Sequence, residues 1–238
     1  MAEIKITADS SQAQRAIASL DTTMRGLERS MGSVQSASAS VSRALTGIVA
    51  AVAGASLFNF VDGLQNMQNK LRVASASTEE FNRNMSYVKQ IADNTGQSLV
   101  ATGDLYSKVS LNAEKLGYNT EQVATTTNAF ALALKVSGAS AQGSASSIYQ
   151  FGQILAKGKV NGDEFTTIME NLGGPVMDLV AKNMGVTTAE LIRLKEKGLI
   201  GAKDFTDALI KSFSDLEQMG SKIGPTLGMS LQKAQNAL

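Results

Sequence analysis

Counted from Ala13 in alternating steps of four and three, one line of the chain carries Ile17, Leu20, Met24, Leu27, Met31, Val34, Ser38, Val41, Leu45, Ile48, Val52 and Ala55. Only Ser38 breaks its apolar register. A repeat of 3.5 residues is the spacing of a seam between helices: Ile17, Met24, Met31, Leu45 and Val52 take a positions, and Leu20, Leu27, Val34, Val41 and Ile48 take d positions. An amphipathic helix lying on a globular core shows a broader stripe instead. The pattern predicts one long coiled-coil-like helix over residues 10–62 and a seam that faces a partner. Gly26, Gly32, Gly47 and Gly54 each weaken that helix by about 1 kcal/mol relative to alanine. Ahead of it, Ile4, Ile6 and Ala8 alternate with Lys5 and Thr7, the period of a short strand over residues 1–9.

The end of this long pattern is uncharged from Ala44 to Val61, ALTGIVAAVAGASLFNFV. That run reaches the lower length limit of a membrane span. Gly47, Ala51, Gly54 and Phe58 are the residues such a segment would use, the small ones allowing close helix packing. Alanine and glycine are only mildly apolar, and Thr46, Ser56 and Asn59 dilute the run further. A buried or oligomer-core helix is the expectation. A membrane-active module that inserts on a trigger is the alternative.

From Thr78 the texture becomes a string of short amphipathic helices. Ser77 with Glu80 has capping-box spacing before Phe81, Met85 and Val88. Ser98 precedes Leu105, Tyr106 and Val109. Thr120 reads as the N-cap of a helix holding Val123, Phe130 and Leu134, and Ser144–Lys157 carries Ile148, Phe151 and Leu155. Phe165, Ile168, Met169 and Leu172 fit the i, i+3, i+4, i+7 template, and Pro175 opens a further helix with Val176, Leu179 and Val180. Thr187 with Glu190 makes a second box, and Phe205, Ala208, Leu209 and Phe213 close the series. The expected fold class is all-α, with a compact domain of about eight short helices over 63–215. Residues 216–238 would start a further helical segment.

Two phrases forty positions apart are nearly the same: KGKVNGDEF at Lys157–Phe165 and KGLIGAKDF at Lys197–Phe205. In each, Lys-Gly ends a helix, the glycine taking a left-handed conformation and the lysine facing the negative helix end. Val160 or Ile200 plugs the turn. Asp163 and Glu164, or Asp204, sit in the first turn of the next helix, and Phe165 or Phe205 starts its buried face. The phrase predicts a helix–turn–helix joint used twice. A phosphate loop is excluded on spacing: five residues rather than four separate Gly152 from Gly158-Lys159, and Val160 stands where a hydroxyl is needed.

Composition narrows the chemistry. Lys and Arg number 22 against 21 Asp and Glu, a net charge of +1, so the basic footprint of a tight nucleic-acid binder is missing. With no Cys and no His there are no disulfides, no Cys/His zinc site and no Ser-His or Cys-His nucleophile. Asp163 and Glu170 share a helix face but lie about 10 Å apart along it, beyond the usual glycosidase separation. Ser107-Lys108 are adjacent and diverge, and Tyr87, Tyr106, Tyr118 and Tyr149 read as partly buried packing residues. No catalytic, cofactor-binding or metal residues are assigned.

The run from Gly152 to Ile210, with Lys157-Gly158, Gly162, Glu164-Phe165, Pro175, Met184-Gly185-Val186, Glu190-Leu191, Gly198 and Ile200, resembles the N-terminal domain of bacteriophage tail tape measure proteins. The resemblance covers about Phe58 to Phe213. It implies a structural virion protein and no enzyme, lying inside the tail tube or tail tip, that sets tail length during tube assembly and takes part in genome ejection. It implies host cytoplasm as the place of assembly. The partners implied are further copies of the chain (a trimer is one arrangement), tail tube, tail tip or baseplate, and assembly chaperone proteins, and the host membrane at ejection. As a single helix the chain would span roughly 360 Å, short for a full ruler. It also ends at LQKAQNAL without a stop signal, so an N-terminal piece of a longer protein is expected.

Overall fold

The computed structural model describes residues 60–160 and 162–237. The opening strand, most of the long heptad helix, all ten seam residues and Gly47, Ala51, Gly54 and Phe58 lie outside the described residues. What is described is all-α, with helices α1 (60–73), α2 (Thr78–Thr95), α3 (Leu99–Leu111), α4 (Ala113–Leu116), α5 (Thr120–Val136), α6 (Ala141–Lys157), α7 (Gly162–Asn183), α8 (Thr188–Glu196), α9 (Ala202–Lys211), α10 (Phe213–Ser221) and α11 (Leu227–Asn236).

Helix α5 is the centre. Val123, Ala124, Thr126, Thr127 and every residue from Ala129 to Leu134 are buried, and α2, α3, α7, α9 and α10 all pack on it. A helix apolar all round is one with neighbours all round. Its buried threonines return their hydroxyls to the backbone one turn back: Thr126 Oγ1 to Gln122 O at 2.7 Å and Thr127 Oγ1 to Val123 O at 2.8 Å.

Helices α1 and α3 run in the same direction, because Gly63, Met67, Lys70 and Ala74 meet Val100, Gly103, Asp104 and Ser110 in turn. A Cβ on Gly103 would collide with buried Met67, so the glycine permits the close approach. A buried polar chain ties this end together. Tyr106 Oη donates to Asn84 Oδ1 (2.7 Å), Asn84 Nδ2 to Ser75 Oγ (3.0 Å) and Ser75 Oγ to Leu71 O (2.7 Å). Tyr106→Phe leaves the Asn84 oxygen buried without that donor, and a loss of about 1–3 kcal/mol is expected in chemical unfolding.

Helix boundaries depart from expectation at two places. The cap of α5 is Asn119, not Thr120: its side chain accepts from Gln122 N at 2.9 Å and Gln122 returns to Asn119 N at 3.0 Å. Asparagine outranks threonine as a cap, and Gln122 sits three residues on to complete the box. Helix α6 starts a turn before Ser144, capped by Ser140, whose hydroxyl accepts from Gly143 N at 3.0 Å. Ser144 is instead buried inside the helix. The break before Pro175 is where the sequence places it, with Gly173 at φ 68° bending α7 and the Leu172 carbonyl taken by Ser137 Oγ. Helix α1 runs past residue 62, where the long helix was expected to end, and α4 comes on top of the expected series; α10 and α11 fall largely in the stretch 216–238 where a further helical segment was expected. Tyr149 is 57% exposed and is not a packing residue.

Candidate functional site

The doubled phrase is built as expected in each copy. Gly158 and Gly198 have φ of 74° and 62°, the left-handed region. Val160 and Ile200 are buried, and Phe165 and Phe205 open the inner faces of α7 and α9. A Cβ at either glycine would meet open space, so Gly158→Ala is expected to cost only the backbone strain, about 1–2 kcal/mol. Gly158→Asn should cost less, since asparagine enters that region more readily.

What sequence reasoning missed is that the two joints bind each other. Val160 N donates to Ile200 O at 2.8 Å, Ala202 N donates to Gly158 O at 3.0 Å, and Lys159 faces Gly201 across an antiparallel bridge. In this register Val160 stands opposite Ile200, its own counterpart in the other copy. Each joint is therefore the partner of its repeat. Beneath the bridge the rings follow suit. Phe165 meets Phe205 edge-on at 5.1 Å, Phe205 meets Phe151 at 6.0 Å, and Phe151 stacks on Phe130 at 4.4 Å. The repeat extends to the threonines that follow: Thr166 Oγ1 donates to Gly162 O and Thr206 Oγ1 to Ala202 O, each one turn back. The equal spacing of the copies was the one signal available in the sequence.

The polar groups around this unit have structural partners. Tyr118 Oη is 2.5 Å from Asp207 and 2.8 Å from Thr206, with Lys203 bonded to Asp207 at 2.8 Å, which ties the start of α5 to α9. Lys157 pairs with Glu164 across the first joint, and that hydrogen bond holds the Glu164 carboxyl below its ordinary range. Asp163 and Glu170 are exposed.

Between α1 and α3, burial pushes the Asp104 carboxyl up. Lys108 and Lys70, the latter at 2.5 Å, outweigh that effect and hold it below its usual value. A depressed carboxylate stabilises the fold above its unfolded pKa, and that contribution is lost as pH falls through the lower folded value. Asp104→Asn is expected to flatten this part of the acid limb in a stability-versus-pH series.

No group of three or more Asp, Glu, His or Cys among the described residues could hold a metal. A groove of about 320 Å³ beside α11 is lined by Ala101, Leu134, Ala139, Ser144 and Met229, with Lys135 its one charged side chain. Gly152, the first glycine of the rejected phosphate loop, lies within α6 under the Lys108 stem. No helix among the described residues is long and apolar enough to cross a membrane.

Comparison with curated proteins and with solved structures gave no match. A family model described as tape measure protein matches residues 55–238, which include α1, both joints and the aromatic chain between them. The chain belongs to the tape measure protein family, a family of structural phage tail proteins.

Proposed function

We propose that this chain is the N-terminal part of a tape measure protein that sets tail length during tube assembly and takes part in genome ejection. It acts through helix packing rather than chemistry. The family match over residues 55–238 carries the reading. The heptad line from Ile17 to Val52 supplies the self-association, and the paired joints make 61–238 a stable end domain for it. Tail tube, tail tip or baseplate, and assembly chaperone proteins are its partners in the virion and during assembly in the host cytoplasm. A net charge of +1 leaves the passing genome free of tight contacts.

The test is made in the phage that encodes the chain. With Leu20→Asp and Leu27→Asp together, electron microscopy is expected to show tails that are absent or scattered in length. Tails of the parental length in parental numbers would overturn the reading.

A further inference from the structure

Helix α11 stands apart from the core. Of its side chains whose exposure is described, Gly228, Met229, Ser230, Gln232, Lys233 and Asn236, none is buried, and the core series ends at Leu216 on α10. The helix lies on α2 behind an exposed link, Gly224-Pro225-Thr226. Two contacts fasten it among the described residues. Near its start Met229 covers Gly96, where any Cβ would stand 2.8 Å from the methionine Cγ. At its end the Asn236 amide spans the junction of α2 and α3. Its Oδ1 accepts from Leu99 N at 2.9 Å and its Nδ2 donates to Gln97 O at 3.0 Å. Gln232 Nε2 also donates to that oxygen, at 3.2 Å.

Leu99 is the first residue of α3, so its N–H has no acceptor within its own helix. The cap, Ser98, accepts from Ala101 N instead. Asn236, 137 positions further along the chain, supplies the missing acceptor. Only one orientation of the amide fits, because one side meets an N–H and the other a carbonyl.

We propose that α11 is a strap that lifts from the folded domain as a unit, with Asn236 as the latch that closes it on the first turn of α3. A segment fastened by a few half-exposed contacts opens locally, well below the free energy of global unfolding. With the strap closed, Met229 helps to wall the groove of about 320 Å³ that Ala101, Leu134 and Ala139 line from the domain side. With the strap open, that apolar lining faces solvent and Leu99 N loses its acceptor. The movement needs no second copy of the chain, so it stands apart from the self-association proposed above.

Residue-resolved hydrogen exchange on the 238-residue chain reads the latch directly, because the Leu99 N–H bonds to Asn236. The Leu99 amide and the inner amides of α11 are expected to be slowed relative to unstructured chain, yet to exchange at least about 100-fold faster than those of buried α5. Asn236→Ala is expected to remove the slowing at Leu99 and to speed α11 about tenfold, with α5 unchanged. Alanine favours helix more than asparagine does, so faster exchange in α11 would not come from a weaker helix. Lys233→Ala, an exposed change on the same helix, should leave Leu99 as in the parent. Inner α11 amides as slow as those of α5 would show that the helix opens only with the whole domain, which overturns the strap. A Leu99 amide that Asn236→Ala leaves unchanged overturns the latch and the inference with it.

Discussion

Phe205→Ala is expected to remove about 3–5 kcal/mol from the stability of the helical domain, the range for truncating a buried aromatic. The side chain is fully buried and holds two other rings at once, Phe165 on α7 and Phe151 on α6, with Phe151 passing the contact to Phe130 on α5. Four helices converge on that chain of rings, so the cavity left behind cannot close by one helix shifting. Total domain stabilities are about 5–15 kcal/mol, so the variant should approach the unfolding threshold at room temperature. The control lies six residues away in the same phrase. Leu199 is 64% exposed, and Leu199→Ala should stay within about 0.5 kcal/mol. Urea unfolding of the three proteins checks both values. A cycle with Phe165→Ala should show coupling of about 0.5–1.5 kcal/mol, the part of the edge contact beyond its area.

Ile200→Asp is expected to be as damaging by another route. Ile200 is 2% exposed, and its backbone carbonyl accepts the Val160 N–H that joins the two copies. A carboxylate there is desolvated among apolar groups, a change expected to cost about 4 kcal/mol or more. Burial raises the pKa of such a carboxyl above its unfolded value, so folding favours the protonated form. The variant should therefore regain part of its loss as pH falls toward about 4. The parent keeps its Asp104 contribution through this range and loses it only at lower pH, as that carboxyl is protonated. Ile200→Val, which keeps the plug and removes one methylene, should lose only about 0.5–1.5 kcal/mol. Thermal unfolding of both proteins across a pH series reads the regain directly.

Much of the fold was legible because local rules decided it. Ser77, Ser98 and Thr187 cap the helices they were expected to cap, each accepting from the backbone N–H three residues on. The glycines of the two joints, the buried plugs and the bend before Pro175 follow from backbone sterics and apolar spacing alone. The errors at Thr120 and Ser144 arose where two adjacent polar residues competed for one cap, or where a serine was buried inside a helix whose true cap came one turn earlier. Propensity ranks such candidates weakly, and packing chooses between them. Helix α10 was legible only as part of a further helical segment over 216–238, because Leu216 and Gly220 are its only buried positions, too few to show a period.

The joint site was half legible. Each copy could be read as a turn with a structural purpose for every recurring letter, yet their mutual pairing is a tertiary fact. An antiparallel bridge of a few residues leaves no alternation long enough to see. Only the register, with Val160 facing Ile200, shows that the two similar phrases meet each other. Tyr118 packs as expected, its hydroxyl bonded to buried Thr206 on α9, whereas the Tyr149 ring lies outside with Lys108 above it at 5.8 Å.

The mass of the 238-residue chain in solution tests most directly whether it works by helices packing on helices of other copies. A single chain weighs 25.0 kDa. Light scattering is expected to return a whole-number multiple of that mass for the parent, and the single-chain value for the Leu20→Asp, Leu27→Asp double variant with its helix content retained. A parent that stays at the single-chain mass over the working concentration range, or a double variant that assembles as the parent does, would contradict it.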